Sequence, residues 1–266
     1  MTVINGVVEQ RYNVHAAPET VFRFFADPPS FARWWAAPGG GAATIQPQPG
    51  GAVSIRFQGG TVMRGEVLDL TRSTRFALTW GYEGKEADGV GPGASRVDIS
   101  LSPTADGTTL WLRHTGLPTP DQQHGHDTGW RHYLSVLATA SAREQFEAGA
   151  DDTLRAYAAA WSAKSPEETA RFLEQCAHPE IEFRDLYACI SGRDALAAHI
   201  ANVKRHVPGH ALELAGPGTL SHGYVRMPWR AMAAGSPMAS GHNFCRLGPD
   251  GKLVEVIGFW DTAPGA

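Results

Sequence analysis

The chain has 266 residues, of which 42% are hydrophobic and 19% are charged, and its formal net charge at pH 7 is -4. These values are typical of globular proteins, and the length fits two domains of ordinary size. The charge forms no basic stripe, and no apolar run approaches the roughly 20 residues of a membrane span. We therefore expect neither a nucleic-acid partner nor a membrane partner.

The first residues lack the basic start and the apolar run of a secretory signal peptide. The three cysteines, Cys176, Cys189 and Cys245, are far apart and odd in number, which fits neither a disulfide framework nor a metal site. We expect them to be buried as small apolar side chains, and we expect a cytoplasmic protein.

Residues 1–148 are predicted to form the first domain. A strand is expected at Val7–Val14, then a helix opened by Pro18 and a short second helix through Phe31 and Trp34. Alternating apolar residues and glycine-rich turns predict five more strands, and helical spacing predicts a closing helix. These elements are Ala52–Phe57, Thr61–Leu70, Arg75–Tyr82, Arg96–Ser102 and Thr108–His114, with a flexible connection at Glu83–Ala94 and the helix at Asp127–Phe146.

Residues 149–266 are predicted to form a second domain, because a new helical period begins after Gly149. Three helices are expected first and a curved antiparallel sheet afterwards, which is α+β order. The helices are Asp152–Lys164, Pro166–Cys176 and Arg193–Arg205; the strands are Ile181–Arg184, Tyr187–Ile190, Ala211–Ala215, Tyr224–Ala233, Met238–Leu247 and Leu253–Trp260.

Several stretches of the first half follow a known family in order. They are Phe31-Ala32-Arg33-Trp34-Trp35-Ala36-Ala37-Pro38, Arg64-Gly65-Glu66-Val67, His114-Thr115-Gly116-Leu117-Pro118 and His124-Gly125-His126-Asp127 followed by Gly129-Trp130. This half resembles the activator-of-Hsp90-ATPase-like branch of the START-related (SRPBCC) superfamily. The resemblance implies a helix-grip fold, in which an antiparallel sheet grips a long C-terminal helix and leaves a cavity between them.

A sheet closed by a single helix leaves space that a small molecule can fill, and large rings are suited to line it. The candidate ligand-binding residues are Trp34, Trp35, Trp80, His114, His126 and Trp130. For any single one of these aromatic rings, packing in the core is the favoured interpretation. The histidines are not accompanied by cysteine or paired carboxylates, so we predict no metal site.

The second half carries Tyr157-Ala158-Ala159-Ala160-Trp161, His178-Pro179-Glu180-Ile181-Glu182-Phe183-Arg184-Asp185 and Ile257-Gly258-Phe259-Trp260-Asp261. It resembles the SnoaL-like (NTF2-like) polyketide cyclase family, which implies an α+β cone around a cavity. That superfamily includes isomerases, hydrolases and non-catalytic pockets, so the fold alone does not choose a reaction.

By this resemblance Asp185 stands where related isomerases have a general base, and Tyr157 where they have a phenol that stabilises an enolate oxygen. The relatives' third group is replaced by Gly241-His242-Asn243-Phe244, where His242 or Asn243 would donate instead; His242 is our candidate. Asp185 fits a turn carboxylate that binds nearby amides about as well.

Trp229 and Trp260 are further candidate ligand-binding residues of this cavity. Arg226 would bind an anion there if its strand turned the arginines inward; if Trp229 faces the cavity, Arg226 faces outward.

The sequence thus predicts two cavities that bind a small apolar or amphipathic molecule, without a cofactor, and acid–base chemistry of isomerase or cyclase type in the second domain. The alternatives are a non-catalytic binding or regulatory protein and an Hsp90-type co-chaperone. The second resemblance further implies a homodimer formed through the SnoaL-like domain.

Overall fold

The computed structural model describes residues 2–4, 6–36, 41–84 and 89–262. The chain divides into two compact units, Met1–Ala142 and Arg143–Ala266. This division falls inside a long helix, and the predicted domain boundary between residues 148 and 149 stays a prediction. None of the helices in the described ranges is long and apolar enough to cross a membrane.

The first unit is an eight-stranded antiparallel sheet with three helices. In chain order it contains β1 (Thr2–Ile4), β2 (Val7–Val14), α1 (Pro18–Ala26), α2 (Pro28–Ala36), β3 (Ala42–Ile45), β4 (Ala52–Arg56), β5 (Val62–Thr71), β6 (Arg75–Trp80), β7 (Ser95–Thr104), β8 (Gly107–Thr115) and α3 (Pro120–Phe146). The strand order is β1-β2-β8-β7-β6-β5-β4-β3. The predicted strands are confirmed, whereas β1 and β3 were not predicted. The predicted connection Glu83–Ala94 includes residues 85–88, which lie outside the described residues.

Helix α3 packs one apolar stripe against the core of this unit. Trp130, Leu134, Leu137 and Ala138 follow helical spacing and are at most 4% exposed. They share one core with inward-facing residues of the sheet. The predicted helix-grip arrangement is therefore confirmed, although α3 begins at Pro120 rather than Asp127, so that the His124–Asp127 segment is helical.

Two glycines on α3, Gly125 and Gly129, lie beside open space. A Cβ added at either position would meet no atom within 4 Å. Because glycine inside a helix costs roughly 0.5–1 kcal/mol relative to alanine, we expect Gly125→Ala and Gly129→Ala each to raise the free energy of unfolding by about that amount. Urea unfolding of the first unit measures it. Gly81→Ala is the opposite control, because its Cβ would lie 1.8 Å from the Gly91 carbonyl oxygen and must destabilise the unit.

The second unit places three helices before most of its strands. In chain order it contains α4 (Ala150–Ser162), α5 (Pro166–Cys176), β9 (Ala177–Arg184), β10 (Cys189–Ser191), α6 (Arg193–His206), β11 (Ala211–Leu214), β12 (Thr219–Ser221), β13 (Tyr224–Ala233), β14 (Ser236–Leu247) and β15 (Leu253–Thr262). The strand order is β10-β9-β15-β14-β13-β11, with β12 on β13. The α+β class is confirmed. One detail differs from the expected antiparallel sheet, because β15 and β9 are parallel.

Strand alternation in this sheet decides which side chains face inward. On β13, Met227 and Trp229 are buried whereas Arg226 and Arg230 are exposed. On β14, Gly241, Asn243 and Cys245 are buried, and the residues between them face the other side. The inward positions of β13, β14 and β15 form one wall of the cavity described next.

Candidate functional sites

The second unit contains a cavity of about 460 Å³, a volume typical of small-molecule sites. Its wall is mostly apolar and aromatic, and Asp185 is the one acidic residue among its lining residues. The lining comprises Tyr157, Trp161, Phe183, Asp185, Tyr187, His199, Asn202, Val203, His206, Val207, His210, Leu212, Trp229, Ala231, Met238, Asn243, Gly258 and Trp260.

Asp185 directly follows β9 and is held by the turn that it begins. Its Oδ1 accepts hydrogen bonds from the backbone N–H groups of Tyr187 and Ala188, each at 2.8 Å. The Asp185 N–H donates to the Ala188 carbonyl at 2.9 Å. Since Oδ1 is engaged by the turn, Oδ2 is the oxygen left to act on a bound molecule.

Gly258 on β15 lets Asp185 and Asn243 approach each other. A Cβ at this position would lie 3.0 Å from the Asp185 Cβ and 3.2 Å from the Asn243 Oδ1. Such contacts are tighter than ordinary packing permits, so a larger residue would push one of the two side chains away. Asn243 is itself 5% exposed. The carboxylate and the amide therefore lie on the same part of the cavity wall.

Several hydrogen-bond donors around this cavity have no partner. Among the described residues none pairs with the Tyr157 hydroxyl, or with the indole nitrogens of Trp229 and Trp260. The Trp161 indole N–H is near enough to the Tyr157 hydroxyl to act against the rise of its pKa, without reaching hydrogen-bond geometry. An unpaired buried polar group costs about 1–3 kcal/mol, so these donors favour a guest that carries acceptors.

Tyr157 keeps its proton. Burial is the main cause that raises the pKa of its phenol well above the usual value of 10.0, and the charge of Asp185 raises it further. A neutral phenol donates a hydrogen bond but does not act as a base.

His199 on α6 also lines the cavity. Its ring meets Trp161 edge-to-face and Phe183 at a tilt, with both centroid distances 5.9 Å. Burial lowers the pKa of His199 below its usual value, and the nearby Asp185 charge opposes this shift. The histidine is therefore a second group here that could accept a proton. His199 is not among the residues proposed from the sequence, because only the folded chain brings α6 beside Trp161 and Phe183.

The structure places four of the candidate residues of this half on the cavity, namely Tyr157, Asp185, Trp229 and Trp260. It does not bring His242 or Arg226 there. Nδ1 of His242 lies 3.2 Å from Oδ2 of Asp261 on the opposite face of the sheet. Arg226 is exposed on that face, as expected once Trp229 faces inward. The inward neighbour of His242 is Asn243.

The first unit has its own cavity, of about 380 Å³. It is lined by Trp35, Phe57, Thr61, Trp80, Tyr82, Gln122, Gly125, His126, Gly129, Trp130 and Tyr133. Trp35, Trp80, His126 and Trp130 were predicted from the sequence. Tyr82 and Phe57 were not, since only the folded sheet brings them opposite α3.

His114 lies behind this cavity rather than on it. The Trp130 indole N–H donates to His114 Nδ1 at 3.1 Å, and His114 Nε2 lies 2.9 Å from the Ser95 hydroxyl, which donates to the Trp80 carbonyl. With Nδ1 accepting, the proton is on Nε2. Burial, with a smaller contribution from His126, lowers the pKa of His114 to about 2. The imidazole is neutral and fully hydrogen-bonded, so it holds Trp130 and is not offered to a ligand.

Trp34 is also a core residue. It is 0% exposed, and its indole N–H donates to the Phe24 carbonyl at 3.0 Å. It supports Trp35, whose ring centroid is 4.1 Å away and which does line the cavity. In the described part of the chain no group of three or more His, Cys, Asp or Glu side chains is arranged to hold a metal ion.

Two of the three cysteines match the expected burial. Cys176 and Cys245 are 0% exposed, and burial raises the pKa of each thiol to about 12, so neither is a thiolate. The expectation was wrong for Cys189, which is exposed on β10.

The family model and the solved structures described here each match about one half of the chain. Residues 15–142 match the family of Activator of Hsp90 ATPase homolog 1-like proteins, and the N-terminal part of the chain belongs to it. No curated protein sequence matches the chain.

Three solved structures illustrate the similarity. An AHSA1-like protein from Rhizobium etli is 36% identical over 51% of this chain and 81% of its own, with a TM-score of 0.41. A protein from Agrobacterium tumefaciens, assigned to the SnoaL-like family as a candidate isomerase, is 25% identical over 42% of this chain and 96% of its own, with a TM-score of 0.40. The Aha1 dimer from Colwellia psychrerythraea is 18% identical over 48% of this chain and 90% of its own, with a TM-score of 0.39.

Proposed function

We propose that the second unit is an acid–base active site for a small, mostly apolar ketone, with Asp185 as the base that moves a proton next to the carbonyl. The observation that carries the proposal is a single carboxylate, held by a turn, on the wall of an apolar cavity that also contains unpaired donors. The first unit is proposed to bind a small molecule without chemistry.

The proposed reaction conserves protons and electrons. Oδ2 of Asp185 takes a proton from the carbon next to the carbonyl, and the C–H electron pair becomes the carbon–carbon double bond of an enolate. The carbonyl oxygen then carries the negative charge. Asp185 returns the proton to the same carbon or to another carbon of the conjugated system, and the second outcome is an isomerisation.

The enolate oxygen needs hydrogen-bond donors, which are most effective in a site that excludes water. Tyr157 is proposed as the first donor, because its phenol stays protonated and has no partner within the described residues. Asn243 replaces His242 as the second donor, because Asn243 lines the cavity beside Asp185 whereas His242 faces away.

A second candidate function is binding without chemistry. The observation that favours it is the use of Asp185 Oδ1 as a turn cap, a structural role that an aspartate can have without being a base. The two candidates differ in one measurable property, which is whether the protein accelerates proton exchange.

The test uses 2-tetralone, an apolar bicyclic ketone with acidic hydrogens next to its carbonyl. We expect the protein to accelerate deuterium incorporation at these positions in D2O, followed by NMR. Absence of acceleration with 2-tetralone bound would favour binding alone over the proposed reaction.

The role of Tyr157 is tested with 2-naphthol, a planar analogue of an enolate. We expect Tyr157→Phe to weaken 2-naphthol binding roughly tenfold, because one hydrogen bond in a dry site is lost. Fluorescence titration measures the dissociation constant, with every protein carrying Gly129→Leu, which fills the cavity of the first unit so that 2-naphthol bound there does not contribute. Tyr187→Phe is the matched control, since Tyr187 lines the same cavity but is 62% exposed. Equal effects of both substitutions would contradict a specific role for Tyr157.

The expected homodimer stays a prediction. The outer face of the second sheet carries three exposed rings, Tyr224, Phe244 and Phe259, and the last two are in contact with ring centroids 5.4 Å apart. Exposed apolar rings on one face support association, as exposed apolar patches do in general.

A further inference from the structure

The cavity of the first unit is walled by aromatic rings that contact one another. Trp35 lies 4.6 Å from Tyr133 and 5.9 Å from Trp80, and Phe57 lies 5.8 Å from Tyr133, measured between ring centroids. Such rings offer broad apolar faces and edges to a planar guest. On the α3 side, Gly125 and Gly129 carry no side chain, so the wall leaves room for a flat molecule.

The lining of this cavity carries no formal charge. None of the lining residues named above is Asp, Glu, Lys or Arg, and burial lowers the pKa of His126, its one histidine, so that the ring is neutral near pH 7. A charged guest would lose its hydration without gaining a charged partner. The cavity therefore selects a neutral molecule.

The hydrogen bonds around His126 fix the polar character of the wall. His126 Nδ1 lies 2.7 Å from the Gln122 carbonyl oxygen, which only accepts, so Nδ1 carries the proton. Nε2 of the neutral ring must then accept, and it lies 3.0 Å from the Tyr82 hydroxyl, which therefore donates. With its proton directed at His126, the Tyr82 oxygen offers lone pairs. The Trp80 indole N–H is near this hydroxyl but does not reach hydrogen-bond geometry.

We infer that the first unit binds a neutral aromatic molecule of two or three rings that carries one N–H or O–H donor, which the Tyr82 oxygen accepts. This inference names the ligand class for the cavity that the proposed function treats only as a binding site. It does not depend on the reaction proposed for the second unit.

The experiment compares two fluorescent probes with the same ring system. N-phenyl-1-naphthylamine is neutral and has one N–H donor, and 8-anilinonaphthalene-1-sulfonate adds a negative charge. The site is assigned by Gly129→Leu, which fills the cavity from α3, where the new Cβ meets no atom within 4 Å. Thr128→Leu places the same side chain on an exposed position of the same helix as a control.

We expect the neutral probe to bind the wild-type protein and the Thr128→Leu variant equally, and Gly129→Leu to remove one site without loss of folding, judged by circular dichroism. At the site that Gly129→Leu removes, the sulfonated probe should bind at least tenfold more weakly. Tyr82→Phe should weaken the neutral probe roughly two- to tenfold.

Two results would overturn the inference. One is a neutral-probe titration that Gly129→Leu leaves unchanged, which would place the binding elsewhere. The other is equal or tighter binding of the sulfonated probe at this site. Neither readout involves 2-tetralone, so a failure here is distinct from a failure of the proposed reaction in the second unit.

Discussion

Replacing Asp185 by asparagine is expected to lower the rate of deuterium exchange into 2-tetralone by a factor of about 10² to 10⁴, the usual contribution of a positioned general base. Asparagine cannot accept the proton, but its side-chain oxygen can still accept the hydrogen bonds from the Tyr187 and Ala188 amides. The turn after β9 should therefore persist, and the loss should reflect chemistry rather than unfolding. NMR exchange rates at equal, saturating ketone concentration measure the effect.

The matched control is Asp261→Asn. Asp261 is exposed and pairs with His242 on the opposite face of the same sheet, so its charge does not reach the cavity wall. We expect exchange by this variant to equal that of the wild-type protein. In addition, Asp185→Asn should bind 2-naphthol at least as tightly as the wild type, because a negative charge next to the electron-rich oxygen has been removed.

Exchange that survives in Asp185→Asn would contradict the assignment of the base. His199 would then be the first group to examine, since it lines the same cavity and burial keeps its imidazole neutral. Loss of exchange in His199→Gln alone would assign the base to α6 instead of the turn after β9. Loss in both single variants would indicate that the two groups act together.

Much of the fold could be predicted because hydrophobic periodicity is a local property. The runs that became β7 and β8 alternate with a period of two, and α5 was predicted with its observed bounds, Pro166–Cys176. The short edge strands β1 and β3 were not predicted, because three or four residues carry too little alternation. The early start of α3 was not predicted because its first two turns after Pro120 hold one glycine and five polar residues and therefore lack an apolar stripe.

The sequence analysis named His242 before Asn243 as the candidate donor, and the outward direction of His242 has a physical reason. Large rings usually mark the buried face of a strand, yet on β14 the ring of Phe244 is 45% exposed and the buried positions hold Gly241 and Asn243. Gly241 must be small because a Cβ there would lie 2.0 Å from the Phe259 carbonyl oxygen on β15 and 2.6 Å from Trp229 Cζ2 on β13. The backbone of β15 and the large inward ring on β13 thus both require a residue without a side chain at this position of β14, and only the strand register reveals these neighbours.

The neutral imidazole of His114 should make the first unit sensitive to acid. The pKa of this histidine is about 2 in the folded protein and has its ordinary value of 6.5 when the chain unfolds. Between these values the unfolded state binds more protons than the folded state, so the free energy of unfolding falls as the pH falls. The part of the unfolding free energy that depends on a neutral His114 is fully present above pH 6.5. It is lost progressively as the pH falls below this value.

At pH 4.5 this loss amounts to roughly 2–3 kcal/mol relative to pH 7, because each pH unit below the unfolded pKa costs about 1.4 kcal/mol. The expected result is that His114→Gln reduces the difference in unfolding free energy between pH 7 and pH 4.5 by about this amount. Glutamine can accept from Trp130 and donate to Ser95, so both neighbours keep a partner. Urea unfolding of the first unit at the two pH values measures the difference, with His124→Gln, an exposed position on α3, as the control.

The decisive quantity is how the change in unfolding free energy between pH 7 and pH 4.5 differs among the wild type, His114→Gln and His124→Gln. The stability of any one protein is not decisive. Asp98 also loses stabilisation in acid, because hydrogen bonds from Arg96 lower the pKa of its carboxyl, but this contribution is the same in all three proteins and cancels. His126 has a lowered pKa of the same origin and adds to the wild-type slope with the same sign. If His114→Gln kept the full pH dependence while His124→Gln also left it unchanged, the imidazole of His114 would be protonated in the folded protein. The hydrogen bond from Trp130 to its Nδ1 could then not exist, and the assigned proton positions behind the cavity would be wrong.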